Sequence, residues 1–176
     1  MFKSEKFKFI DKIQICEVNT DGSMGRVVLE TCSHPSILDR FLKYIGLKRY
    51  ANDLIMDVGI QDVALMIKDR YGYIQNGLSS ADMAVSTLTD LKSPLATDRV
   101  TATKGLDTTY ITDDTITFTG VFTNSTGSTQ TILESGLFKD VTTSVNDVMF
   151  CRQTFSYSAP DGSTYGVIWK ITVTRG

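Results

Sequence analysis

Residues 116–140 read ITFTGVFTNSTGSTQTILESGLFKD, and this stretch decides the fold class. Ile116, Phe118 and Phe122 alternate with threonines, which is the period-two pattern of a strand with one buried face. The segment NSTGST then supplies turn residues, and TILESGLF resumes an extended pattern. The stretch therefore predicts two antiparallel strands joined by a short loop. A single carboxylate, Glu134, lies inside the second strand.

Strand patterns continue towards the end of the chain. The segments DVMFCRQTFSY and YGVIWKITV alternate apolar and polar residues, and APDG between them carries the residues of a tight turn. Several strands at this spacing predict an antiparallel β-sandwich. We assign it to residues 71–176, with residues 71–110 expected to be irregular and rich in loops.

The N-terminal part has a different composition. Threonine occurs three times in residues 1–88 and twenty times in residues 89–176, so the two halves differ in their structural preferences. In residues 1–70, KFKFIDKIQICEV and GRVVLE predict two strands, while a helix is expected from Pro35 to Gly46 and another over QDVALMIKDR. We expect a smaller mixed α/β segment that serves assembly or docking. Its candidate interface residues lie on the first helix: Phe41, Leu42 and Ile45.

Composition narrows the range of partners. The net charge of −2 and the sequence pI of about 5.4 do not provide the basic field that nucleic acid attracts. No apolar run approaches the roughly 20 residues of a membrane-spanning helix, and the start MFKSEKFKFIDK lacks the apolar region of a signal peptide. We therefore expect a protein made in the cytoplasm, with neither nucleic acid nor membrane as partner.

Signatures of catalysis and metal binding are weak. His34 is the only histidine, and although Cys32 and Cys16 could join it, the paired ligand spacing of a zinc site is missing. No nucleophile elbow or phosphate-binding glycine loop occurs, and Asp113 with Asp114 does not form a recognisable calcium loop. The sequence therefore predicts no enzyme, no metal and no cofactor.

Two residues keep alternative interpretations. Glu134 is either a charge that protects an edge strand from further pairing or the partner of Arg152 on a neighbouring strand. Trp169 alternates with Val167 and Ile171, which favours a core position. The alternative is an exposed platform for stacking on sugars, flanked by the tyrosines at positions 157 and 165.

The order of the pieces FTGVFTN, ILESGLF, MFCRQTF and VIWKITV resembles a β-rich module of structural proteins in tailed bacteriophages. The resemblance covers about residues 71–176 and does not extend to residues 1–70. Cys151 departs from it, because a small residue such as alanine is expected there. The residues that carry it would form the framework of the fold and its assembly: Phe118, Phe122, Glu134, Gly136, Leu137, Phe138, Arg152, Phe155, Trp169 and Ile171.

This resemblance implies a structural protein of the virion, in the tail, neck or collar or associated with the head. The implied partners are other virion structural proteins and further copies of the chain in a homo-oligomer, and the implied location is the virion. The alternative function is a carbohydrate- or receptor-binding β-sandwich module that uses its loops.

Overall fold

The protein contains two antiparallel sheets that face each other. The computed structural model describes residues 7–32, 57–81, 90–95, 99–141 and 148–175. The elements in these ranges are β1 (Phe7–Val18), β2 (Met24–Cys32), α1 (Asp57–Arg70), β3 (Tyr73–Gly77), β4 (Val100–Thr101), β5 (Thr103–Asp107), β6 (Thr115–Thr123), β7 (Gln130–Phe138), β8 (Met149–Ala159) and β9 (Thr164–Arg175).

The strands divide into a five-stranded and a four-stranded sheet. The first has the order β2-β1-β9-β6-β5 and the second the order β4-β3-β7-β8. All pairings between these strands are antiparallel. The predicted fold class, a mainly β protein of sandwich type, is confirmed.

Strands β1 and β2 belong to the same sheet as the C-terminal strands. β1 pairs with β9 from Phe7 opposite Arg175 to Glu17 opposite Tyr165. It thereby lies between β2 and the last strand of the chain. The division expected near residue 70 does not separate two packing units, because the described strands of residues 1–70 continue the sandwich.

The space between the sheets is filled by apolar side chains that alternate along the strands. Trp169 is fully buried, and its indole Nε1 donates a hydrogen bond to Ser135 Oγ on β7 at 3.3 Å. Asn76 Nδ2 on β3 donates to Tyr165 Oη on β9 at 3.2 Å. Both bonds cross from one sheet to the other, so they add directional contacts to the non-directional apolar packing.

Helix α1 completes the core. Ile60, Val63, Ala64 and Ile67 recur at helical spacing, are buried, and belong to the same apolar cluster as the strands. The helix contacts β6 and β9. The helix predicted over QDVALMIKDR is therefore confirmed. Among the described residues, no helix has both the length and the hydropathy needed to cross a membrane.

Residues 71–110 contain more regular structure than the sequence predicts. Strands β3, β4 and β5 all lie in this range. The alternation of apolar and polar residues does not reveal β3, because its polar residues Gln75 and Asn76 are both buried and form specific hydrogen bonds there. The chain passes from one sheet to the other at Ala102, whose N–H donates to Gly72 O at 2.8 Å.

Some predictions fall outside the described residues. The helix expected from Pro35 to Gly46 is one, and the candidate interface residues Phe41, Leu42 and Ile45 lie on it. His34 is another.

Trp169→Ala should lower the free energy of unfolding by roughly 3–5 kcal/mol, because it removes the largest fully buried side chain from between the sheets. Denaturant unfolding measures the loss. Tyr110→Ala is the control, since 66% of Tyr110 is exposed and its removal should change stability by less than about 0.5 kcal/mol. A loss below about 1 kcal/mol for Trp169→Ala would contradict the core position.

Candidate functional site

The outward face of the four-stranded sheet carries a buried polar cluster. On β7, Ser135 and Leu137 point towards the other sheet, so Glu134, Gly136 and Phe138 point away from it. On β3, Ile74 and Asn76 point inwards, which places Gln75 and Gly77 on the outward side. Yet Glu134, Gly136 and Phe138 are as buried as core residues. Their burial requires a cover, which residues 90–95 provide.

Glu134 has no exposed surface and is satisfied by three donors. Arg152 Nε donates to Oε2 at 2.6 Å, which is a short, charge-assisted hydrogen bond. The main-chain N–H of Ser93 donates to Oε1 at 2.9 Å, and that of Lys92 donates to Oε2 at the longer distance of 3.4 Å. A carboxylate removed from water needs such partners, because an unpaired buried charge costs several kcal/mol.

Gly77 makes room for this carboxylate. It lies directly opposite Glu134 in the pairing of β3 with β7. A side-chain carbon at position 77 would overlap Glu134 Oε1 and come within 2.7 Å of Ser93 O. The close approach of Glu134 and the covering segment therefore requires glycine at this position.

Gly136 lets the cover approach in the same way. A Cβ at this position would lie 2.8 Å from the ring of Phe138 and 3.0 Å from Leu91 Cδ2. Glycine in the ILESGLF segment thus allows Leu91 and the Phe138 ring to close over the strand. Two glycines and one carboxylate therefore determine how closely the covering segment packs on this face.

Arg152 links the pair to a second segment. Its Nη2 donates to the carbonyl oxygens of Ser79 at 3.1 Å and Ala81 at 3.2 Å. Glu134 holds residues 92 and 93 while Arg152 holds residues 79 and 81. The ion pair consequently fixes the main chain on both sides of residues 82–89.

Arg99 forms the second half of the cluster, and its side chain is only 2% exposed. Its Nε donates to Gln75 Oε1 at 3.2 Å, its Nη1 to Asp140 O at 3.0 Å, and its Nη2 to Asp90 Oδ1 at 3.2 Å. The guanidinium carbon lies 3.6 Å from the centre of the Phe138 ring, which is a cation–π contact. We call Glu134, Arg152, Arg99, Asp90 and Gln75 the Glu134 network.

The network is suited to fixing the backbone and poorly suited to catalysis. A general acid needs a carboxyl group within reach of a substrate. Glu134 is instead enclosed beneath residues 90–95, and its oxygens accept bonds from the protein itself. Within the described ranges, no three His, Cys, Asp or Glu side chains come together as a metal site would require.

A second buried carboxylate, Asp114, fixes the loop between β5 and β6. It accepts hydrogen bonds from the main-chain N–H groups of Thr109, Tyr110 and Ile111 at 2.8, 2.8 and 2.9 Å, and from the Thr115 hydroxyl at 2.9 Å. Burial alone would raise the pKa of Asp114, but these four donors outweigh it and hold the pKa below its usual value. The loop is therefore held by its own hydrogen bonds, although Tyr110 at its tip is 66% exposed.

The residues that carry the phage resemblance fall into two groups. Phe118, Phe122, Leu137, Trp169 and Ile171 are buried in the core, with Phe155 packed at its margin. Glu134, Gly136, Phe138 and Arg152 lie on the opposite face of the four-stranded sheet, around the Glu134 network.

Of the two interpretations of Glu134, the ion pair with Arg152 describes the structure. The edge-strand interpretation does not, because β7 lies between β3 and β8. Glu134 and Arg152 are diagonal neighbours, since Gly136 is the residue directly opposite Arg152.

Three functional side chains were not found from the sequence. Arg99 and Asp90 lie in a stretch without periodicity, and no spacing rule links them to Gln75. The sequence around Asp114 does not form a recognisable calcium loop, and the structure shows this carboxylate binding the main chain of its own loop. The sequence signal for this role of Asp114 is a carboxylate placed a few residues after small polar residues. Such side chains often bind nearby main-chain N–H groups.

Comparisons with protein-family models, with curated proteins and with solved structures find no match for this chain.

Glu134→Ala should destabilise the protein by about 3–5 kcal/mol, because it leaves the Arg152 guanidinium buried without its carboxylate. Arg152→Ala should have a similar effect for the reciprocal reason. The double variant should lose clearly less than the sum of the two, which a double-mutant cycle measures as coupling. The matched control is the exposed pair Arg26–Glu17, for which the same cycle should give almost no coupling. Strict additivity at Glu134 and Arg152 would refute the pairing.

Asp114→Asn should lower stability at neutral pH by roughly 2 kcal/mol, because an amide cannot satisfy several donors as a carboxylate does. Since the folded-state pKa is lowered, the stabilisation is present above the unfolded-state value of about 3.9 and is lost as the pH falls through the folded-state pKa. The stability difference between wild type and variant should therefore shrink on acidification. Unfolding curves from pH 7 to pH 2 test this, and a difference that stays constant with pH would contradict it.

Proposed function

We propose that this chain is a structural component of a tailed-bacteriophage virion, in the tail, neck or collar or associated with the head. It acts by oligomeric assembly and by docking to other virion proteins. The observation that carries the proposal is that the residues of the resemblance form one connected framework across β6, β7, β8 and β9. Their apolar members fill the core, and Glu134 with Arg152 holds the cover of the outer sheet face.

The use of charged groups supports a role in assembly over a role in chemistry. Glu134, Arg99, Arg152 and Asp114 each bind main-chain groups, and together they fix segments that would otherwise be surface loops. A building block benefits from such rigidity, because an interface made from preordered segments loses less conformational entropy when it forms.

The alternative is a carbohydrate- or receptor-binding module. It would use exposed aromatic side chains, but Trp169 and Tyr165 are 0% and 2% exposed. Burial also raises the pKa of Tyr165 to about 12, so its hydroxyl stays neutral in the core. Tyr157, the third aromatic candidate from the sequence, is half-buried against the Tyr165 ring, so these side chains do not support sugar stacking.

The charge balance indicates what kind of partner the chain binds. With a net charge of −2 it lacks the basic surface that would bind packaged DNA. Other virion proteins and further copies of the chain are the partners that fit, and the chain would reach the particle from the host cytoplasm.

The test is the composition of purified particles. Tailed-phage particles are isolated by density gradient from a host that carries this sequence, and their peptides are identified by mass spectrometry. We expect peptides of this chain to co-purify with the particles in a fixed ratio to the known structural proteins. Their absence from infectious particles would refute the proposal, and a cytoplasmic protein of the same host serves as the control for contamination.

A further inference from the structure

The outward face of the five-stranded sheet is a regular polar surface. β6, β9 and β1 point Phe118, Trp169 and Ile13 into the core, so their neighbours in sequence point the other way. These outward residues form two rows across the three strands. In one row Lys170 lies between Thr117 and Lys12, and in the other Ile168 lies between Thr119 and Gln14. We call these six residues the threonine–lysine face: Lys12, Gln14, Thr117, Thr119, Ile168 and Lys170.

Two lysines stand directly opposite each other at the centre of this face. Like charges in directly opposed positions of an antiparallel pair destabilise a sheet. Lys12 Nζ is compensated by Glu30 Oε2 at 2.7 Å. For Lys170, no ion pair is found in the part of the chain that the structure describes. The hydrogen bond from Lys12 and the charge of Lys170 both lower the pKa of Glu30, so two ammonium groups share this one carboxylate and the centre of the face keeps a net positive charge.

An acidic rim borders the same face. Asp107 is opposite Thr115 on the outward side, and the loop fixed by Asp114 folds over Thr115, as the 2.7 Å contact between the Thr109 and Thr115 hydroxyl oxygens shows. Asp113 and Tyr110 on this loop are exposed. No lysine or arginine occurs from residue 105 to residue 138. We call Asp107, Tyr110 and Asp113 the acidic rim.

We infer that two copies of this chain pair face to face through the threonine–lysine face, about a two-fold axis that lies in the plane of the interface, between the lysines and the acidic rim. A two-fold interface requires a surface that is complementary to itself. A basic centre beside an acidic rim meets this requirement, because rotation places the rim of each copy over the lysines of the other. Tyr110 then supplies an aromatic ring for contact with a lysine ammonium, and Ile168 an apolar contact.

Nucleic acid is a poorer occupant of this face. The basic centre holds few lysines, and the adjacent carboxylates of the rim would repel phosphates. A second copy instead brings carboxylates to the lysines and lysines to the carboxylates.

The small area of the threonine–lysine face predicts a weak association between the two copies. Five strands about 4.8 Å apart and six residues at about 3.4 Å each give a footprint of roughly 20 Å by 20 Å. This is small beside the roughly 800 Å² per partner that a standard specific interface buries. We therefore expect a dimer that dissociates on dilution and weakens as salt screens its charges.

The experiment is sedimentation equilibrium of the purified chain at low and high salt. The wild type should associate reversibly, and Lys170→Glu should weaken the association by at least about tenfold, since it places acid against acid. Asp107→Lys should weaken it similarly, and Tyr110→Ala to a smaller extent. Lys139→Glu is the matched control, because this lysine follows β7 in the other sheet and should leave association unchanged. Thermal melts establish that every variant is folded.

A mixture of Lys170→Glu and Asp107→Lys chains gives the sharpest result. In a two-fold pair of the two variants, the native Asp107 meets the native Lys170, and the new lysine meets the new glutamate. The mixture should therefore associate more strongly than either variant alone. Failure of the mixture to recover, or a wild type that stays monomeric up to its solubility limit, would overturn the inference.

The inference rests on the proposed function for its biological role, but its failure can be told apart from failure of that function. A monomeric chain found in purified particles would reject the interface and leave the virion role intact. A chain that dimerises through this face but is absent from particles would retain the interface and reject the virion role.

Discussion

The burial of the Glu134 charge is the constraint on which the outer half of the molecule depends. A carboxylate with no exposed surface must receive hydrogen bonds from every side, and its donors come from β8 and from residues 92 and 93. Opposite it, only glycine at position 77 leaves room. Because Arg152 also binds the carbonyl oxygens of Ser79 and Ala81, one buried ion pair fixes the main chain on both sides of residues 82–89.

The two faces of the four-stranded sheet thus have different tasks. Towards the other sheet, residues such as Leu137 and Ile74 bury apolar surface, and this burial supplies most of the stability. On the opposite face, the Glu134 network adds little net stability, because desolvation of its charges offsets much of their attraction. Its contribution is geometric: a covering segment held by a carboxylate and two guanidinium groups has one defined position.

How much was predictable depended on whether a segment's partners were local or distant. Period-two alternation identified β6, β7, β8 and β9, because each buries one apolar face. Gln75 on β3 looks like a loop residue until Arg99, 24 positions away, is seen to bond it. The joining of β1 to β9 is likewise a contact between the two ends of the chain, which no local pattern records. The Glu134–Arg152 pair could be predicted from the sequence, because both residues lie in strands that the alternating pattern identifies.

Edge strands of the two sheets discourage pairing with another chain, which favours assembly through the outward face of a sheet. In the pairing of β1 with β2, Ile15 lies opposite Leu29 and Cys16 opposite Val27, so Val28 is an extra residue in β2. In the pairing of β7 with β8, Phe150 is an extra residue in β8 in the same way. Such bulges twist an edge and discourage pairing with another chain. At the other side, β4 is two residues long and continues almost directly into β5 of the opposite sheet. Among the described strands, the edges formed by β2, β8 and β4 are protected in these ways, which makes self-assembly through a face physically easier than extension of a sheet from chain to chain.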